Sequence, residues 1–227
     1  MSSTIAGLIL AGGLSRRMGG EKALQLLAGE TMISRVIGRI APQVEQLAIN
    51  ANSEPAPYLD YGLPVLPDRI GGHLGPLAGV LTGMEWAAEL PGVTHLISTA
   101  TDTPFLPLDL VTRFGAMSGP ERIVMARSQG NAHPVVGLWP VALREDLARW
   151  LVTSETMKVQ AWVARHEIAY CDFEPEHDRA PDPFFNANTP EELAEVPTVA
   201  GSLREALQDA RVRAVMSLYT SRFMNAD

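Results

Sequence analysis

The sequence predicts an α/β fold: a three-layer sandwich, Rossmann-like, with a mostly parallel central sheet flanked by helices. Three observations predict it. Apolar runs of strand length alternate with segments of helical spacing through the first half of the chain, the pattern of parallel strands joined by crossover helices. The run at 4–10 is apolar nearly throughout, as in a strand covered on both faces. Gly12, Asn50, Asp68 and Asp102 each follow a predicted strand, at the carboxyl rim where open α/β sheets hold their ligands. The chain has 227 residues, 46% hydrophobic and 19% charged, enough for one domain with a substantial core.

Residues 4–10 form the first strand, and 31–40 a helix with apolar Met32, Ile33, Val36, Ile37 and Ile40 on one side, Thr31 as its N-cap and Pro42 at its end. Residues 46–50 form a second strand, stopped by Asn50, Asn52, Pro55 and Pro57, and 63–67 a short third. Gly71, Gly72 and Gly75 make a loop before a helix over 76–90, whose first turn suits Pro76. The fourth strand, 93–100, runs into Thr101-Asp102-Thr103-Pro104, and a helix follows over 107–117. Residues 122–126 and 134–139 read as paired strands around a polar loop, 127–133. Helices over 142–151 and 156–164, a strand over 167–173 and a proline-rich acidic loop over 174–183 complete the pattern. Residues 184–188 lead into a helix capped by Thr189-Pro190-Glu191-Glu192. After 196 the composition changes, and 202–217 reads as an amphipathic helix. The domain expectation is therefore 1–197, with a helical tail at 198–227. That tail either packs on its own domain or makes an oligomer contact.

The most informative stretch is 8–22, Leu-Ile-Leu-Ala-Gly-Gly-Leu-Ser-Arg-Arg-Met-Gly-Gly-Glu-Lys. A buried strand that ends in Gly12-Gly13 leaves backbone N–H groups able to face an anion, and Arg17 and Lys22 add full positive charges. Neither the Walker pattern nor the dinucleotide fingerprint fits, because Glu21 precedes Lys22 and Gly12 and Gly13 are adjacent. A plain glycine turn between a strand and a helix accounts for the glycines equally well; the neighbouring cations favour an anion such as a triphosphate. The formal net charge of −8 argues against a nucleic-acid partner. The single cysteine, Cys171, excludes an intrachain disulfide framework, and no apolar run is long enough to span a membrane. With no basic segment before an apolar core at the amino terminus, the expectation is a cytoplasmic protein.

The stretch resembles the signature of nucleotidyltransferases of the nucleotide-diphospho-sugar transferase type, with a glycosyltransferase-A-like fold, and its Ala-Gly-Gly form is similar to that of the molybdenum cofactor guanylyltransferases. The resemblance extends over about residues 4–196 and includes Gly75-Pro76-Leu77-Ala78-Gly79, Thr101-Asp102-Thr103-Pro104, His133-Pro134 and Asn186-Ala187-Asn188. One departure is visible: Glu21 stands where the family has Asp, with Lys22 one residue closer. A second is Met157 in place of one of two adjacent basic residues, leaving Lys158. The resemblance implies transfer of GMP from GTP to molybdopterin with release of pyrophosphate. Catalytic roles fall to Arg17, Lys22 and Asp102, with Asp102 holding Mg2+ as cofactor. Nucleotide contacts fall to Leu10, Ala11, Gly12, Gly13, Lys22, Asn50, Asp68, Gly75, Asp102 and Asn188. A molybdenum-insertion protein and molybdoenzyme chaperones are the protein partners it suggests.

Read without the family, Asp102 serves either a metal or a cap of the following helix or turn, and Asn50 and Asp68 serve either a guanine base or ribose, or a turn. Mg2+ commonly takes only one or two carboxylates and completes its shell with substrate phosphates, so a single Asp suffices. Gly79 and Gly83 serve either ligand approach or helix-sheet packing. Two rival functions remain: a sibling enzyme using CTP on molybdopterin or a nucleotide sugar, and a non-catalytic nucleotide-binding module serving molybdoenzymes.

Overall fold

A computed structural model of the chain describes residues 4–12, 22–27, 29–71, 74–175 and 181–186. Its centre is strand β1 (Thr4–Leu10). A small hairpin follows, β2 (Leu26–Leu27) and β3 (Glu30–Thr31), and then helix α1 (Met32–Ile40). Strands β4 (Gln46–Asn50) and β5 (Val65–Leu66) precede α2 (Pro76–Glu89), β6 (Val93–Ala100) and α3 (Leu110–Met117). The rest is β7 (Ile123–Ser128), β8 (Asn131–Pro140), α4 (Arg144–Thr153), α5 (Val159–Val163) and β9 (Ile168–Phe173). Seven strands form one sheet in the order β5-β4-β1-β6-β8-β7-β9. All pairings are parallel except those of β8, which runs against both β6 and β7. The expected mostly parallel sheet between two helical layers is therefore what the chain forms.

The period of two along β1 builds both layers. Ile5 and Ile9 join Ile33, Val36, Ile37, Ile40 and Phe114 on the α1 and α3 side. Ala6, Leu8 and Leu10 face the other way, against Leu77, Val80, Leu81 and Met84 of α2, with Trp139 and Trp162 further along that layer. Thr31 caps α1 as expected, its hydroxyl accepting from Ser34 N at 3.2 Å. No helix among the described residues is long and apolar enough to cross a membrane.

Several boundaries differ from the sequence expectation, each for a local reason. The third strand shrinks from 63–67 to Val65–Leu66 because Pro64 and Pro67 lack the N–H that a longer ladder requires. The helix expected from 107 begins at Leu110, because Gln43, in the 3-10 turn that follows α1, captures Pro107 O at 2.9 Å and caps Val111 N at 3.0 Å. The polar loop expected at 127–133 is mostly strand: β7 and β8 close on Gln129 and Gly130, with φ of 47° and 78°. Two successive positive φ values mark the tight hairpin turn that matches strand twist. The helix expected over 156–164 contracts to Val159–Val163, since Ser154 Oγ donates to Thr156 O and accepts Thr156 N, winding that segment as a turn. The β2–β3 hairpin and a 3-10 helix at Ala56–Tyr61 were not expected. Residues 187–227, with the capped helix at 189, the 197/198 boundary and the helix at 202–217, lie outside the described residues.

Two fold features invite measurement. Asp146 joins α4 to α5: it accepts Trp162 Nε1 at 2.9 Å and lies 3.2–3.6 Å from His166, Arg149 and Arg165. Burial pushes its carboxyl up, but the Trp162 bond and the charges of Arg165, His166 and Arg149 outweigh that and hold it below the usual carboxylate range. A lowered folded-state pKa means stabilisation that is complete above the unfolded value of about 4 and is lost as pH falls through the folded one. Urea unfolding between pH 7 and pH 2 should therefore show a flatter acid limb in Asp146→Asn, whose amide still accepts from Trp162 but carries no charge. Gly79 of α2 supplies the second. A Cβ there would lie 2.3 Å from Asn50 Oδ1 and 2.7 Å from Leu10 Cδ2. Gly79→Ala gains about 1 kcal/mol of helix propensity, yet overpacking costs about 1–3 kcal/mol, so urea midpoints should show a net loss of stability.

Candidate active site

Parallel pairing aligns the strand exits. Leu10 stands opposite Asn50 on one side and Ala100 on the other, and Asn50 opposite Leu66. The ladder continues one step beyond the strands: Ala11 N donates to Asn50 O at 2.8 Å, Ala51 N to Leu66 O at 3.2 Å and Thr101 N to Leu10 O at 3.4 Å. Leu10, Ala11, Gly12, Asn50, Asp68 and Asp102 therefore share one rim, as the strand pattern predicted. The stretch 13–21, with Gly13 and Arg17, lies outside the described residues, as does Asn188. Beyond that stretch the chain reappears as a single 3-10 turn, Lys22–Leu24, whose Ala23 is buried in the core beneath α1.

Asp102 sits half-buried in the turn that follows β6. Thr103 closes that turn, its hydroxyl donating to Ala100 O at 2.9 Å, while Thr101 and Thr103 are themselves buried. Asp102 does not stand at the cap of α3, where Asp109 occupies the N-cap position and Gln43 supplies the side-chain bond to the first turn. Segment 105–107 is fastened to α1: Arg39 donates to Leu106 O and Gln43 to Pro107 O.

Asp68 belongs to a compact polar network. Its Oδ1 accepts from Asn50 Nδ2 at 2.8 Å and its Oδ2 from Asn52 Nδ2 at 2.7 Å, while its own N–H donates to Asn52 Oδ1 at 2.7 Å. Asn50 is buried, and its amide also donates to Leu66 O at 3.0 Å. The next residue, Arg69, ties this loop to α2 through Thr82 Oγ1, Glu85 and Glu89. Asn52 entered the sequence reading only as a strand stop. The signal that reveals it is an amide two residues past Asn50, level with the exit of β5.

Gly75 occupies the N-cap of α2 at φ 74°, a backbone conformation that glycine adopts without strain. It lies against the Met157 carbonyl, so the segment carrying Lys158 borders this helix start. Gly79 and Gly83 serve packing: a Cβ at Gly83 would meet Leu8 and Leu96 within 2.7 Å. His133, at the rim end of β8, bonds Ser128 Oγ through Nε2 at 2.7 Å and stacks on Phe184 with centroids 4.6 Å apart. Burial holds its pKa below the usual histidine value, against the opposing charge of Asp182.

A small cluster beneath the rim joins the motif-bearing segments. Leu27, shortly after Lys22, and Met32 are buried together, with Phe105 and Phe185 packed against them. Phe105 comes three residues after Asp102, and Phe185 directly precedes Asn186. Arg35 braces the same region, donating to Leu27 O at 2.9 Å with Glu30 at 3.7 Å.

Among the described residues no group of three or more His, Cys, Asp or Glu side chains could hold a metal.

The model of the MobA-like NTP transferase domain matches residues 7–169. A molybdenum cofactor guanylyltransferase of Bradyrhizobium sp. (strain ORS 278) is 48% identical over 203 residues, covering 88% of this chain and 94% of the relative. Among solved structures, the molybdopterin-guanine dinucleotide biosynthesis protein A of Archaeoglobus fulgidus superposes with a TM-score of 0.65 at 21% identity, covering 87% of this chain and 99% of that one. Rv0371c of Mycobacterium tuberculosis, solved as a complex with manganese, shares the fold at a TM-score of 0.57 and 17% identity over 86% of this chain and 98% of its own. A match spanning most of the chain, joined to near-half identity along almost the whole length of a relative, establishes that this chain belongs to the MobA-like NTP transferase family, among the molybdenum cofactor guanylyltransferases.

Proposed function

We propose that the protein transfers the GMP portion of GTP to the terminal phosphate of molybdopterin, forming molybdopterin guanine dinucleotide and pyrophosphate. The observation that supports this reading is the register of β1 with β6, which aligns Leu10 with Ala100 and so brings the exits of the two strands, leading to Gly12 and to Asp102, side by side. In this reading one nucleotide tail spans both. Asp68 and Asn50 lie at the neighbouring exits for the base and ribose, and Gly75 opens the helix above them.

The acceptor phosphate is ionised at neutral pH, so attack on the α-phosphorus requires no general base. The bond to the bridging oxygen of pyrophosphate breaks as the new phosphoanhydride bond forms. Repulsion between two anions and charge growing on the leaving group make up the barrier, and positioning with positive charge lowers it. In this reading Arg17, Lys22 and the N–H groups of Gly12 and Gly13 hold the β- and γ-phosphates. Asp102 would hold a divalent cation, Mg2+, which supplies charge neutralisation at the phosphates. In this reading Asn188 contacts the nucleotide, and the segment carrying Lys158 serves the pterin side. The reaction takes place in the cytoplasm, with a molybdenum-insertion protein and molybdoenzyme chaperones as its protein partners.

Two measurements test this. Asp102→Ala should lower turnover by more than about a hundredfold, read as pyrophosphate release from GTP and molybdopterin with Mg2+ present; near-normal release would remove Asp102 from the mechanism. In competition for the wild-type protein, GTP should displace a labelled guanine nucleotide well below the concentrations of CTP or UTP that do so. Equal displacement by CTP would move the protein to the cytidylyl sibling reaction.

A further inference from the structure

We propose that Asn52 is the positioning residue that gives this site its preference for guanine, by fixing the plane of the Asp68 carboxylate. The inference rests on the assignment of Asp68 to the base. Asn50 alone holds one oxygen of Asp68, at 2.8 Å. A carboxylate held at one oxygen still turns about its Cβ–Cγ bond. Asn52 supplies the second point: its amide donates to the other oxygen at 2.7 Å and accepts the Asp68 N–H at 2.7 Å, a reciprocal pair that locks side chain and backbone together. Asn50 cannot shift to compensate, because it is buried, bonded to Leu66 O and wedged by Gly79. Asn52 also stands next to the glycine loop, its Nδ2 3.8 Å from where a Cβ on Gly12 would lie. It therefore borders both the proposed phosphate site and the proposed base site.

The chemistry of the bases makes a fixed plane selective. An ionised carboxylate has about four acceptor positions. With one position on each oxygen filled by an asparagine, each oxygen keeps capacity for a further donor. Guanine presents two adjacent donors, N1–H and the 2-amino group, and a fixed carboxylate takes both. Adenine and cytosine set a ring acceptor beside their amino donor, and uracil flanks its single N–H with carbonyls. Each of these turns an acceptor against a carboxylate that cannot rotate away. Hypoxanthine, the base of ITP, offers N1–H without the amino group and so isolates the second bond.

The test measures equilibrium binding of GTP and ITP, together with pyrophosphate release, in wild type, Asn52→Ala and Asn52→Asp. Wild type should prefer GTP over ITP by roughly tenfold, the value of one charge-assisted hydrogen bond. Asn52→Ala should narrow that preference to within about twofold and raise the KM for GTP about tenfold, with kcat within about twofold of wild type because no phosphate contact changes. Asn52→Asp keeps an acceptor for the Asp68 N–H but loses the donor to its carboxylate, and should lose discrimination as the alanine variant does. Thermal midpoints should stay within about 2 °C of wild type, since the side chain is exposed. GTP and ITP affinities that fall by the same factor, or an unchanged preference in either variant, overturn the inference while leaving the reaction standing. Wild-type protein that binds GTP selectively but releases no pyrophosphate overturns the reaction and leaves the inference judged by binding. Wild-type protein that binds neither nucleotide overturns both.

Discussion

The offset between three parallel strands fixes everything at the rim. Main-chain hydrogen bonds set Leu10 level with Asn50 and with Ala100, and the same ladder continues into Ala11 and Thr101. A slip of one residue in β1 would turn Ile5 and Ile9 away from α1 and would also shift Ala11 and Gly12 out of line with the exits of β4 and β6. The two apolar faces of β1 thus hold the register, and the register holds the site. Burial of Ile, Leu and Val side chains far below the rim is the force that keeps polar side chains of three distant segments together.

The loops themselves are held by side chains reaching backbone atoms of other segments. Gln43 and Arg39 of the α1 region fasten 106–111, Arg35 fastens the hairpin after Lys22, and Arg69 fastens the Asp68 loop to α2. Each bond satisfies a carbonyl or amide that the irregular segment leaves without a partner of its own, and each limits how far a loop drifts from its strand end. Leu27, Met32, Phe105 and Phe185 perform the same service with apolar contact, beneath three of the motif-bearing stretches. Preorganisation of this kind suits phosphoryl transfer, where little covalent chemistry falls to the protein and placement supplies most of the effect.

Glycine in α2 shows helix packing and the polar network of the rim meeting at one residue. Gly79 lets the helix settle directly on Asn50, and Asn50 in turn is one of the two amides on Asp68. Helix propensity argues against glycine there, and the close approach of a polar side chain overrides it. The antiparallel strand β8 serves the other half of the sheet. It brings His133 to the rim end, against Ser128 and Phe184, and sends Trp139 back across Gly137 to bond Ser98 Oγ.

The sequence by itself determined the layered α/β architecture, because strand and helix periodicities are local and the run at 4–10 is strongly apolar. It also determined the rim residues Gly12, Asn50, Asp68 and Asp102, since a polar residue after each buried strand is a one-dimensional signal. Boundaries went astray where a distant side chain intervened, as at 107–109 with Gln43, or where proline and turn chemistry cut an apolar run short, as at 63–67. Only the tertiary structure decided the sheet order, the antiparallel course of β8 and the partnership of Asn52 with Asp68. Those depend on which surfaces bury one another and on bonds between residues far apart in the chain, and no local spacing encodes such a meeting.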